Sequence, residues 1–123
     1  MGVVFDTNRI AVIGVPSSAG ARKVGQEQAP RSLRAAGLLD RLQGNGHEVV
    51  DLGDLTQVSY APDEQKPRAQ NLALVLDVIN EVAGAVDSAL EQRAWPLIIG
   101  GDCTITIGVL SALRKHFTSL GMA

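Results

Sequence analysis

The sequence predicts an α/β fold with a parallel sheet covered by helices on both faces. Three observations carry this: three short apolar runs that do not alternate with polar residues, stretches of helical periodicity after each of them, and the resulting order β-α-β-α-β-α. Parallel strands need helical crossovers, and this order supplies them.

The first run is Arg9 to Pro16, "RIAVIGVP", in which Ile10, Val12, Ile13 and Val15 form a nearly continuous apolar strand stopped by glycine and proline. The polar, glycine-punctuated "SSAGARKVGQEQ" is a loop. Pro30 suits a first helical turn, and Leu33, Ala36, Leu39 and Leu42 recur at helical spacing up to "GNG", which predicts one helix with a glycine stop. Glu48 to Leu52, "EVVDL", is a second strand ending at Gly53-Asp54, and "TQVSYAPDEQKP" is loop by its prolines and polar content. Leu72, Val75, Leu76, Ile79, Val82, Ala83, Val86 and Leu90 repeat at three and four, predicting a helix over Asn71 to Gln92 with these residues inward and Asp77, Glu81 and Asp87 outward. Pro96 to Ile99 is the third strand. Ile105, Val109, Leu110 and Leu113 give a third helix ending near Lys115-His116, where basic residues suit the negative end of the helix dipole.

The chain of 123 residues, 46% hydrophobic and 20% charged, suits one domain with a single core. A formal net charge of −2 with both signs scattered offers no basic stripe, which disfavours nucleic acid, and the acids of the long helix disfavour a membrane span. A lone cysteine and no signal-like start over Met1 to Ile10 favour the cytoplasm; Asp6 stands where the Met1-Gly2 myristoylation pattern needs Ser or Thr. Three parallel strands leave exposed edges, so residues 1–123 are expected to be a truncated domain and to self-associate.

Ligands of open α/β sheets bind beyond the carboxyl ends of the strands, which directs attention to the loops Gly14 to Gln28, Gly53 to Pro67 and Gly100 to Thr106. In the last, Gly100 and Gly101 permit a tight turn, Asp102 is a hard oxygen ligand or a loop-fixing cap, Cys103 lies near a helix N-terminus, and Thr104 is a candidate N-cap. Four readings of Cys103 stand open: a small buried residue, which leads because free cysteine is usually buried; a metal ligand; a nucleophile; and a redox or incidental thiol. His116, at the far end of the third helix, is about 18 Å from Cys103 at 1.5 Å per residue, too far to be its base. His47, at the amino end of a strand, reads as an exposed turn residue, and Asp51 and Asp54 around Gly53 as turn acids. "GVPSSAG" has the small residues of an anion cradle without the G-x-G-x-x-G pattern, a weak signal for a flavodoxin-like nucleotide-binding module.

Taken together, "IGVPSSAGARKVGQEQAPRSLRAAGLLDRLQGNGHEVVDLGDL", the "KPRAQN" element before the long helix and "PLIIGGDCTITIG" resemble the N-terminal part of the ureohydrolases, the arginase and agmatinase superfamily, over Ile10 to about Leu113. The resemblance implies a three-layer α/β/α sandwich, here reaching about three strands of a larger parallel sheet, and a homo-oligomer. It also implies hydrolysis of a guanidino or amidino C–N bond by water held on a pair of manganese ions. The family's "GGDH" metal-ligand turn falls on Gly100, Gly101, Asp102 and Cys103, so the cysteine takes the place of the first ligand histidine. Thiolate is poorly matched to manganese and favours zinc or no metal. The family's remaining ligands, an Asp-x-His-x-Asp strand end and an Asp-x-Asp pair, correspond to positions beyond Ala123, so the chain alone is expected to be inactive. The alternative is a metal-free, non-catalytic member of the family that binds or assembles.

Overall fold

The computed structural model describes residues 5–123; the reading of the Met1-Gly2 start lies outside them. Three strands, β1 (Asp6–Gly14), β2 (Glu48–Asp54) and β3 (Ala94–Ile99), form one parallel sheet in the order β2-β1-β3. Ile10 lies opposite Val49 on one side and Trp95 on the other, and Val12 opposite Asp51 and Leu97.

From β1 the chain steps outward to β2 and then back across β1 to β3. Right-handed crossovers in opposite directions must lie on opposite faces, and they do. The first carries α1 (Ala29–Ala35) and α2 (Leu38–Gly44); the second carries α3 (Leu72–Glu91), against which α4 (Ile105–His116) packs. Ala11, Ile13 and Val15 point from β1 into the core formed with Val78, Val82, Val86, Ala89 and Ala112. The opposite face meets α1, where a side chain on Gly14 would come within 3.1 Å of Pro30 Cβ. This is the expected three-layer arrangement.

Three details differ from the sequence reading. The helix predicted from Pro30 to "GNG" is two short helices, because Gly37 at φ +86 breaks the hydrogen-bond ladder although the apolar spacing runs on through it; Leu33 is left exposed. In α3 the buried stripe starts at Val78, and Leu72 and Leu76 stay about half exposed because the sheet and α4 cover only the later turns. Strand β3 begins at Ala94, ahead of Pro96, with the Val15 N–H donating to the Ile99 carbonyl. Residues of alternate parity face alternate sides, so the missing Pro96 donor lies on the free edge and costs no ladder bond.

The basic end of α4 behaves as read, with a partner added: Lys115 Nζ and His116 Nε2 reach the two oxygens of Asp87 on α3, at 2.9 and 3.1 Å. Among the described residues no helix is long and apolar enough to cross a membrane.

Candidate functional site

The carboxyl ends of the strands release three loops, and hydrogen bonds tie them to one another. The β1–α1 loop threads the middle. Ser17 forms a parallel bridge with Val58 of the β2–α3 loop, Ser18 N–H donates to the Val58 carbonyl (2.8 Å), and Tyr60 N–H donates to Ser18 Oγ (2.8 Å). On its other side, the Asp102 N–H donates to the Ser17 carbonyl (3.0 Å).

All five sequence-predicted residues of the β3–α4 turn come together there. Gly101 sits at φ +91 with a cis peptide before it, and its bare Cα faces the Val15 and Ser17 carbonyls at distances that exclude a side chain. Asp102 is buried, and both of its oxygens are engaged: Oδ2 accepts the Gly20 N–H (2.9 Å), and Oδ1 accepts the Thr104 N–H (2.9 Å) and the Thr104 hydroxyl. Thr104 occupies the N-cap position of α4 but makes no side-chain cap bond, since its hydroxyl donates to Asp102. Asp102 is thus the residue that fixes the turn. Cys103 between them is exposed, which corrects the leading reading of a buried packing residue: the turn sends its two neighbours inward and the thiol outward.

Asp51 and Asp54 are turn acids with a shared partner that sequence spacing did not reveal. Arg34 of α1 donates to Asp51 Oδ2 (2.7 Å) and Asp54 Oδ1 (3.0 Å), while Asp51 Oδ1 accepts the Gly53 N–H (2.9 Å). The guanidinium holds the Asp51 carboxyl below the usual carboxylate range, and Asp51 in turn raises the already high pKa of Arg34. Beside them a cleft of about 340 Å³ is lined by Pro16, Glu27, Gln28, Arg31, Arg34 and Asp54. Glu27, also missed, is buried and accepts the Gly25 N–H (2.8 Å); that bond, and then the Ser18 hydroxyl, lower its pKa. Nothing marks such a carboxylate in sequence, because its donors come from a loop whose path only the fold decides.

The two histidines lie elsewhere. His47 is at the amino end of β2, half-buried rather than exposed, and His116 is bound to Asp87. Among the described residues no group of three or more His, Cys, Asp or Glu side chains could hold a metal ion. The "GVPSSAG" loop offers no anion cradle either. The N–H groups of Ser17, Ser18, Ala19, Gly20 and Ala21 all donate within the protein, to Val15 O, Val58 O, Ser17 Oγ, Asp102 Oδ2 and Ser18 O. A larger apolar groove of about 360 Å³, with Phe5, Trp95 and Phe117 in its lining, lies at the opposite, amino end of the strands and away from this chemistry.

Comparison with known proteins finds a match to the arginase family over residues 8–122. The chain is 35% identical over 120 residues to the arginase of Staphylococcus aureus (strain COL), covering 94% of this chain and 39% of that protein. Among solved structures it resembles the arginase of Bacillus subtilis subsp. subtilis str. 168, with a TM-score of 0.80 at 37% identity, covering 92% of this chain and 38% of that one. It also resembles the arginase of Bacillus cereus, with a TM-score of 0.78 at 38% identity, covering 92% and 37%. The chain therefore spans less than two-fifths of the length of the relatives it matches.

Proposed function

The chain belongs to the arginase family, and from that premise we propose that it is the N-terminal portion of an arginase- or agmatinase-like ureohydrolase. The whole protein hydrolyses a guanidino or amidino C–N bond of a small substrate, in the cytoplasm and as a homo-oligomer. The observation that supports this most directly is the Gly100–Thr104 turn. It stands at the carboxyl end of β3, pinned by a buried aspartate, and presents the side chain of residue 103 outward from the rim where open α/β sheets place ligands.

In this reading Cys103 occupies the position of the family's first metal-binding histidine. The residues present do not fit a manganese pair. One soft thiol stands where imidazole belongs, and the nearest carboxylate, Asp102, has both oxygens committed to N–H donors and a hydroxyl. Zinc suits the thiol better, and no metal at all suits the second reading, a non-catalytic binding or assembly protein of the family, which a thiol in the place of imidazole at residue 103 motivates. Either way this chain by itself is inactive.

A chimera tests the reading, with this chain replacing the matching portion of the Bacillus subtilis arginase. Urea release from arginine and agmatine and metal content by mass spectrometry are measured with Cys103 and with Cys103→His. The His version is expected to bind manganese and release urea, and the Cys version to lose at least most of both. A folded chimera in which the two behave alike overturns the placement of Cys103 at a ligand position. Urea release by this chain alone overturns its inactivity.

A further inference from the structure

Asn71 stands at φ +55 where α3 begins, and its side chain makes no cap bond to that helix. It reaches away from the helix instead. Its Nδ2 donates to the Ala61 carbonyl of the β2–α3 loop (2.9 Å) and to the Ala19 carbonyl of the β1–α1 loop (3.3 Å), while its backbone N–H donates to Asp63 Oδ2 (3.3 Å). The residue after Ala19 is Gly20, whose N–H donates to Asp102 Oδ2. The other Asp102 oxygen holds Thr104, so the residues on both sides of Cys103 are fixed by the carboxylate that Gly20 supports.

We propose that Asn71 is a positioning residue for the Gly100–Thr104 turn: it fastens the two neighbouring loops together at Ala19 and Ala61, and so keeps the Gly20 donor against Asp102 and Cys103 in its outward place. The residue type follows from the task. Position 71 needs a left-handed backbone, which Gly, Asn and Asp tolerate, and two donors aimed at carbonyls, which of these three only Asn supplies. Gly20 has its own requirement, since a Cβ there would lie 2.5 Å from Thr104 Cγ2 and 2.8 Å from Asp102 Oδ1. The approach between the loop and the turn leaves no slack to absorb a shift at Ala19.

The inference rests on the proposed function only in taking this turn as the functional one. Its test reads the geometry of this chain rather than metal or turnover, so failure of the hydrolase reading would leave the result intact. In isotope-labelled protein, amide hydrogen exchange at Gly20 and Thr104 and the 13C shift of the Asp102 carboxylate are compared among wild type, Asn71→Gly and Asn71→Asp. Both variants tolerate the backbone and lack the donors. Exchange at Gly20 and Thr104 is expected to rise about tenfold for the loss of one to two hydrogen bonds, with the Asp102 signal displaced and the amides of Ile13 and Val82 unchanged. Wild-type values at Gly20, Thr104 and Asp102 in a folded variant overturn the proposal. So does an equal rise at Ile13 and Val82, which would make Asn71 a stabiliser of the whole fold and nothing more. Should one variant fail to fold, the other is read by the same signals.

Discussion

Replacing Gly101 by alanine puts the turn under a load that can be worked out in advance. The residue sits at φ +91, where a Cβ costs about 1–2 kcal/mol. That Cβ would also lie 2.6 Å from the Val15 carbonyl oxygen and 2.8 Å from that of Ser17. Neither oxygen is free to retreat: Val15 O accepts the Ser17 N–H and Ser17 O accepts the Asp102 N–H. Overpacking against fixed neighbours adds about 1–3 kcal/mol, for a total of about 2–5 out of a folding stability of roughly 5–15 kcal/mol. With a urea m-value near 2 kcal/mol/M, the midpoint should fall by about 1–2.5 M. Gly100→Ala is the internal comparison, because there the Cβ would run into Ile105 Cδ1, the end of a side chain, and not into hydrogen-bonded backbone. It should cost less. A Gly101→Ala midpoint within about 0.3 M of wild type, or a larger loss for Gly100→Ala, would refute the argument that backbone contact with the β1–α1 loop sets this turn.

Gly84 lies in the exposed interior of α3 with nothing within 4 Å of the position a methyl group would take, so Gly84→Ala should stabilise the chain by about 0.5–1 kcal/mol, measured as a higher urea midpoint. Arg34 holds Asp51 below its ordinary pKa of 3.8, so this ion pair stabilises the fold above that value and its contribution is lost as pH falls through the lowered one. Arg34→Met should therefore reduce stability at neutral pH by about 1 kcal/mol, the pair being partly exposed, and flatten the acid limb below pH 3.8; an unchanged limb contradicts the assignment. The free edge of β3 and the exposed Trp95 beside the apolar groove should make the chain self-associate, which sedimentation velocity would show and a monodisperse monomer would contradict.

β1 was legible because its carboxyl half, Ala11 to Gly14, is buried on both faces and writes itself as a short unbroken apolar run before the proline stop; β2 and β3, only partly buried, were legible from the β-rich and apolar residues ahead of Gly53 and Gly100. The beginning of β2 at Glu48 was legible as well, but those of β1 and β3 were not. Asp6 to Asn8 join β1 through pairing at Arg93 and Ala94, which polar residues accept when a neighbouring backbone is offered. The helix break at Gly37 was hidden by periodicity that continues across it, since spacing reports which residues want burial and not whether the chain can wind without interruption. Asp102 was readable as a residue that fixes a helix start; its third partner, Gly20, is 82 positions away and no local pattern points to it.

Cys103 is the instructive miss. Its expected burial followed from the habits of free cysteine as a residue type, but at this turn the geometry belongs to its neighbours: Gly101 must be bare, Asp102 must point inward to meet Gly20, and Thr104 must turn back to Asp102. The one position left over faces outward whatever it carries. A side chain that contributes nothing to the core is not chosen by packing, so cysteine and histidine should fold equally well there, and what separates them is the chemistry of a thiol against that of an imidazole. That is why the Cys103→His comparison in the chimera reads function rather than stability. Stripped of metal by a chelator, the two versions should share a melting temperature within about 2 °C, the shift expected of a substitution outside the core worth less than about 0.5 kcal/mol; with metal added back they should part, because a bound ion stabilises the version that retains it.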